Sequence, residues 1–199
     1  MKPLLLTFDI FGTVVDWHTA LGERDFDRIV DTQGEIEQQR FRPYTEIVAE
    51  SLIRVRRLDA VTAAGIAANV GKWPLFPDSR KALRRLRRVA PCAATTNSDR
   101  AHGEQVQAQL GFMLDGWICA EDVRAYKPDR RIWEAAARKM ARPFDRAWWH
   151  VSAYADYDLR TARELGLTAV FVQRPHSRSG AADVTVPDLA ALADLVDAG

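Results

Sequence analysis

The chain has 199 residues, enough for one substantial core plus a small appended module. Lys and Arg total 28 against 27 Asp and Glu, a formal net charge of +1, which excludes a global field that would draw it onto nucleic acid or an anionic membrane. Hydrophobic residues make up 47% and aromatics 9%, too rich for disorder, and no run approaches the ~20 apolar residues of a membrane span.

In chain order, the first apolar run, 4–8, reads as a strand delivering Asp9-Ile10-Phe11-Gly12-Thr13. An Asp interrupts that run too early for a secretory signal, so the expectation is a cytoplasmic protein. From about 17 to 73 no strand is convincing; 26–30 and 44–57 have helical period, so the stretch reads as an all-helical insertion between the first two strands. A helix at 79–88 turns Leu83 and Leu86 inward, and its Arg80, Lys81, Arg84, Arg85, Arg87 and Arg88 read as a solvated face, having no interleaved aromatics. A strand at 89–95 leads to Thr95-Thr96-Asn97 and a helix at 98–110; a strand at 117–119 is followed by Lys127-Pro128 and a helix at 130–141. A strand at 148–152 ends near Asp156 and Asp158, a helix at 158–165 stops at Gly166, a strand follows at 168–172, and the Ala-rich tail after Val186 reads as a closing amphipathic helix. Cys92 and Cys119 fall in apolar stretches without His partners and read as buried thiols.

Strands alternating with helices predict an α/β fold, a parallel sheet covered on both faces, with a core of 1–15 and 74–199 and a helical cap of 16–73. Ligands of such sheets sit at the carboxyl ends of the strands, where Asp9, Thr13, Thr96, Asn97, Lys127 and Asp158 gather. A carboxylate there is a competent nucleophile if a cation such as Lys127 offsets its charge and the 96–98 loop binds charge developing on the substrate. Singly, each has a plain structural reading: Asp9 as a turn cap, Thr96 to Asp99 as a helix N-cap, Asp158 as a cap of its own helix. His150 reads as a satisfied core histidine, His18 as a gate-lining candidate, and Trp17, Trp73 and Phe76 as either an apolar cleft wall or hinge packing.

Taken together and in order, Asp9-Ile10-Phe11-Gly12-Thr13, Thr95-Thr96-Asn97, Tyr126-Lys127-Pro128-Asp129 and the Asp158 segment resemble the four motifs of the haloacid dehalogenase superfamily. The resemblance implies a Rossmann-like core with the cap inserted after the first motif. It also implies Asp9 as nucleophile, Thr96 and Asn97 as binders of the substrate or intermediate, and Lys127 as the partner of the Asp9 carboxylate. Phosphatases of the superfamily carry a second Asp two residues after the nucleophile; here that residue is Phe11, which resembles the 2-haloacid dehalogenase branch. Halide leaves without a proton, whereas phosphoryl transfer needs an acid and a metal, so Phe11 spares the first reaction and harms the second. The expected substrate is therefore a small organic acid, attacked at a halogen-bearing carbon to give an aspartyl ester, with no metal or cofactor and no nucleic-acid or membrane partner; a homodimer stays open. That branch carries a cap Arg beside the halide, for which Arg40 and Arg42 are candidates, although alignment on Tyr44 places Glu37 there; Trp133 stands where the branch often has a Tyr. Ala153 and Ala155 replace the Ser and Asn of the fourth motif, with Ser152, Tyr154 or Asp156 as substitutes. The rival readings are a magnesium-dependent phosphatase using Asp9 and Asp158 as ligands, and a degenerate member that binds without turnover.

Overall fold

The computed structural model describes residues 2–198. Six strands, β1 (Leu5–Phe8), β2 (Cys92–Thr96), β3 (Gly116–Cys119), β4 (Trp148–Ser152), β5 (Thr168–Val172) and β6 (Val184–Val186), form one sheet in the order β3-β2-β1-β4-β5-β6. Every neighbouring pair is parallel, with Thr7 opposite Ala93 of β2 and His150 of β4. β1, β2, β4 and β5 are buried at every position, as a sheet covered on both faces requires, which is why they appear in the sequence as continuous apolar runs without alternation.

The helices are α1 (Trp17–Leu21), α2 (Phe26–Glu37), α3 (Tyr44–Arg56), α4 (Ala60–Ala67), α5 (Ser79–Leu86), α6 (Arg100–Leu110), α7 (Ala120–Val123), α8 (Arg131–Lys139), α9 (Arg160–Glu164) and α10 (Leu189–Ala198). Each element between β1 and α5 is helical: α1 to α4 and a short 3-10 turn, Val70–Lys72. The chain leaves and re-enters the core through two adjacent antiparallel segments, with the Asp16 N–H donating to Pro74 O at 2.7 Å and the Phe76 N–H to Val14 O at 3.0 Å. α2 runs seven residues beyond the 26–30 segment legible as helical, and α9 is preceded by a wider π-type turn, Ala155–Leu159, that carries Asp158.

β1 is the point where strand order reverses, with β2 on one side and β4 on the other. The crevice beyond the carboxyl ends of these strands is where an open parallel sheet holds its ligand. The helical insertion lies over that crevice. It is fastened at α3, whose N-cap position is Pro43 and offers no side-chain acceptor; Asp99, at the start of α6, supplies one instead. Its Oδ1 accepts from the Tyr44 N–H at 2.8 Å, and its Oδ2 accepts from the Thr45 N–H at 2.8 Å and the Thr45 hydroxyl at 2.6 Å. A second fastening is the ion pair of Arg178 with Asp31 of α2, at 2.5 Å.

Candidate active site

Asp9 follows β1 directly, its N–H still donating to Val151 O at 2.9 Å, so the sheet register itself aims the carboxylate beyond the strand ends. The next residues coil back on themselves: the Val14 and Val15 N–H groups both donate to Ile10 O at 2.9 Å, and Gly12 N–H to Val15 O at 2.8 Å. Gly12 stands at φ +90°, and a Cβ there would lie 2.5 Å from the Tyr154 hydroxyl oxygen, so the coil requires glycine on both counts. It places Thr13 to donate its hydroxyl to Asp9 Oδ2 at 2.8 Å while accepting the Ala153 N–H at 2.9 Å.

Lys127 reaches the same carboxylate from the loop between α7 and α8. Its Nζ donates to Asp9 Oδ1 at 2.8 Å and to Asp158 Oδ2 at 2.7 Å, and its side chain is fully shielded from water. Asn97, after β2, holds the backbone of Lys127 from both sides: Oδ1 accepts the Lys127 N–H at 2.7 Å, and Nδ2 donates to Lys127 O at 3.3 Å. Behind Asp158 runs a buried donor chain in which Trp148 Nε1–H donates to the Thr7 hydroxyl at 2.8 Å, which bonds His150 Nδ1 at 2.9 Å. With the Thr7 hydroxyl donating to Nδ1, the ring carries its hydrogen on Nε2 and donates it to Asp158 Oδ1 at 3.0 Å. Thr7 and His150 meet because they are register partners on β1 and β4.

Two carboxylates and one ammonium are thus buried together. Burial alone would strip Lys127 of its proton, but the charges of Asp158 and Asp9 and their hydrogen bonds outweigh it and hold the ammonium above its ordinary range. Burial would likewise raise Asp158, yet Lys127 and His150 pull it well below the usual carboxylate range, so it stays ionised. Asp9 goes the other way: burial, with the charge of Asp158, pushes it up against Lys127 and Thr13. Lys127 thus serves both carboxylates, with Asp158 additionally held by His150.

Asp9 opens onto a cavity of about 630 Å³ between the sheet and the helical insertion, lined also by Phe11, Thr96, Asn97 and Lys127. The sequence-derived candidates Asp9, Thr13, Lys127 and Asp158 form one bonded cluster, with Phe11, Thr96 and Asn97 in the adjacent wall. Asp158 itself is wholly buried and does not line the cavity, lying behind Lys127. Three candidates for substrate contact fall elsewhere. Arg42 turns away to pair with Glu46 at 3.2 Å and Glu50 at 2.6 Å, because these carboxylates lie along the outer face of α3. Arg40 is exposed in the loop before α3 and is absent from the cavity wall. Trp133 is fully buried on α8, edge-on to the His150 ring at 5.7 Å, so it supports the histidine and reaches no ligand. Phe11 makes the aromatic part of the wall with Tyr44 and Trp17, at ring-centroid distances of 6.1 and 6.5 Å, and Trp73 packs edge-on behind it at 6.3 Å, outside the wall.

Sequence reasoning missed most of the wall contributed by α2. Val30, Gln33, Gly34 and Glu37 all line the cavity, and their spacing is that of one helical face, a signal hidden because the helix was legible only to Val30. Glu37 Oε2 accepts from Asn97 Nδ2 at 3.0 Å, and burial pushes the Glu37 carboxyl up to about 8 despite that bond. Tyr157, on the π-type turn, also faces the cavity, and burial with the charge of Asp9 keeps its hydroxyl un-ionised well above 10. Arg124, Arg131, Arg160 and Arg178 also line it, with Phe41 and Tyr126 among the remaining wall residues.

This arrangement, a buried carboxylate with one cation and one hydroxyl on it, opening onto a cavity of mixed polar and aromatic lining, is suited to nucleophilic attack on a small substrate held there. Comparison with known proteins agrees. The chain is 27% identical over 198 residues to (S)-2-haloacid dehalogenase H-109 of Pseudomonas putida, covering 87% of this chain and 88% of the relative. The structure of L-2-haloacid dehalogenase from Xanthobacter autotrophicus superposes with a TM-score of 0.85 at 18% identity, covering 98% of both chains. The same enzyme with chloropropionic acid covalently bound superposes with a TM-score of 0.81 at 16% identity, again covering 98% of each chain. The family model for haloacid dehalogenase-like hydrolases matches residues 4–149, and with it the helical insertion and three of the four site segments: this chain belongs to the haloacid dehalogenase-like hydrolases.

Proposed function

We propose that the protein hydrolyses the carbon–halogen bond of a small 2-haloacid, with Asp9 as nucleophile, Lys127 and Thr13 holding its carboxylate, and residues 16–73 acting as a cap that excludes bulk water. The observation that carries this reading is the bonding of Asp9 itself: Lys127 on Oδ1 at 2.8 Å, Thr13 on Oδ2 at 2.8 Å, and an aromatic ring, Phe11, two residues on in the cavity wall. A carboxylate so held keeps a lone pair on each oxygen free for attack in line with a departing halide, and opposite it stands no acid on residue 11 to protonate an alkoxide. The relative from Pseudomonas putida and the covalent complex of the Xanthobacter enzyme support the same chemistry.

The reaction runs in two steps. One Asp9 oxygen displaces halide from carbon 2, giving an aspartyl ester; water then attacks the ester carbonyl, releasing the 2-hydroxyacid and restoring the carboxylate. Both oxygens of Asp158 are taken, by Lys127 and His150, and the oxygens of Asp9 by Lys127 and Thr13, so the positive charge that a metal would bring to these carboxylates is already provided by Lys127. Halide release from chloro- and bromo-acids of two to four carbons, run beside phosphate release from phosphate monoesters, tests the reading. The expected result is halide release that survives excess chelator. Chelator-sensitive phosphate release without halide release would overturn it in favour of a metal-dependent phosphatase.

A further inference from the structure

Among the described residues, several polar side chains of the cavity wall near Asp9 are spent on one another. The Tyr44 hydroxyl donates to Gln33 Oε1 at 2.9 Å, and Gln33 Nε2 donates to Ser51 Oγ at 3.2 Å. Thr13 is committed to Asp9 at 2.8 Å and Thr96 to Ser98 at 3.3 Å. Asn97, in the cavity wall beside Lys127, gives its amide hydrogens to Glu37 Oε2 at 3.0 Å and Lys127 O at 3.3 Å. Glu37 differs. It stands at the last position of α2 in the cavity wall, fixed through Oε2 by an Asn97 that Lys127 pins in turn, while its Oε1 bonds to no described residue. It is also near enough for the charges of both Asp9 and Lys127 to act on its carboxyl.

An ionised Glu37, half-buried at the cavity wall, would add a third carboxylate near the one ammonium that Asp9 and Asp158 already share, and it would repel both an anionic substrate and an anionic leaving group. We propose that the Glu37 carboxyl serves as an un-ionised hydrogen-bond donor to the halide that Asp9 displaces. This rests on the dehalogenase reading above. In the step itself, an Asp9 oxygen forms the new carbon–oxygen bond as the carbon–halogen bond breaks, and the bonding pair leaves with the halide. Glu37 keeps its proton throughout and directs the Oε1–H at the departing anion.

The groups acting on or acted on by Glu37 are Asp9 and Lys127 from the core loops, Tyr44 from α3, Tyr126 beside Lys127 and Tyr157 from the π-type turn, and Arg124, Arg131, Arg160 and Arg178, charged throughout, line the same cavity. Burial raises all three tyrosines above their ordinary value and the Lys127 ammonium is held up by its carboxylates, so the groups of this cavity raised toward neutral pH are the carboxyls of Asp9 and Glu37, which a glutamate-specific label tells apart. The test uses the whole chain, labelled with 13C at the glutamate carboxyl carbons, with the Glu37 resonance identified by its loss in Glu37→Gln. Sodium bromide is the probe, with sodium gluconate matching ionic strength. Because a halide bound by the protonated acid and the proton bound by Glu37 stabilise each other, saturating bromide should raise the Glu37 midpoint. Bromide affinity in the native protein should then fall about tenfold per pH unit above that midpoint, and in Glu37→Gln, whose amide still donates, it should be level from pH 7 to 10. A Glu37 midpoint indifferent to bromide, or a pH dependence of affinity that is the same in Glu37→Gln, would overturn the proposal. These readouts need no turnover, so failure of the dehalogenase reading, seen as an absence of halide release, is distinguishable from failure of this one.

Discussion

At the scale of single residues, the site is a problem in charge accounting. Lys127 is the one cation bonded to Asp9 and Asp158. Removing it leaves two buried carboxylates facing each other, and breaking such a pair costs about 3–5 kcal/mol. Lys127→Met should therefore lower the free energy of unfolding by about that amount, and should raise the pH at which Asp9 ionises; denaturant melts at two pH values would check it. Loss of activity with unchanged stability would contradict the account of the cluster. Glu37 supplies a second prediction, in the opposite sense to an ordinary surface acid. Its ordinary value is 4.5 and its folded value about 8, so the folded chain binds its proton more tightly than the unfolded chain does. The stability this gives is complete below pH 4.5 and is lost as pH rises through 8, a loss that Glu37→Gln cannot suffer. The stability of Glu37→Gln relative to the native protein should thus rise across that window and level off above it. The gathering of Asp9, Thr13, Thr96 and Asn97 was legible in the sequence because polar residues at or just after strand ends stand out, while Phe11, Lys127 beyond α7 and Asp158 on the π-type turn stood out only by the order of the four segments taken together. Arg40, Arg42 and Trp133 were not legible, because their destinations depend on partners, Glu46, Glu50 and His150, that only the packed chain brings near.

At the scale of elements, strands buried on both faces were legible as apolar runs, and five of the six appeared where expected. β6, three residues with only Val186 fully buried, has no such run and takes its place by pairing with β5. The cap helices were legible as a region without strands, but their bounds were not. α3 begins at Tyr44 after Pro43, and the acceptor for its free N–H groups comes from Asp99, 55 residues away from Tyr44 in sequence. That long-range cap is a hinge fastening, since it ties a cap helix to the start of a core helix. Asp99→Ala should cost about 0.5–2 kcal/mol, the usual worth of an N-cap. The same change should also speed amide exchange at Tyr44 and Thr45 while leaving β1 and β4 protected; slowed or unchanged exchange at those two amides would show that the cap is fastened elsewhere.

At the scale of the molecule, the strand-order reversal at β1 sets where the site must be, and the insertion at the end of the first motif sets what covers it. The cavity of about 630 Å³ lies where these two features meet, and the remaining chain, including the Arg174 clasp on Asp78 at 3.0 Å and on Thr13 O at 3.1 Å, holds the nucleophile loop against α5. All of this converges on one claim, that Asp9 forms a covalent ester which water opens at its own carbonyl. A single turnover of excess enzyme with a 2-haloacid in 18O water tests it, Asp9→Asn serving as the inactive control. The account predicts 18O in the peptide that contains Asp9 and an unlabelled hydroxyl in the first product. Label in the first product and none in Asp9 would mean that water attacks the substrate directly.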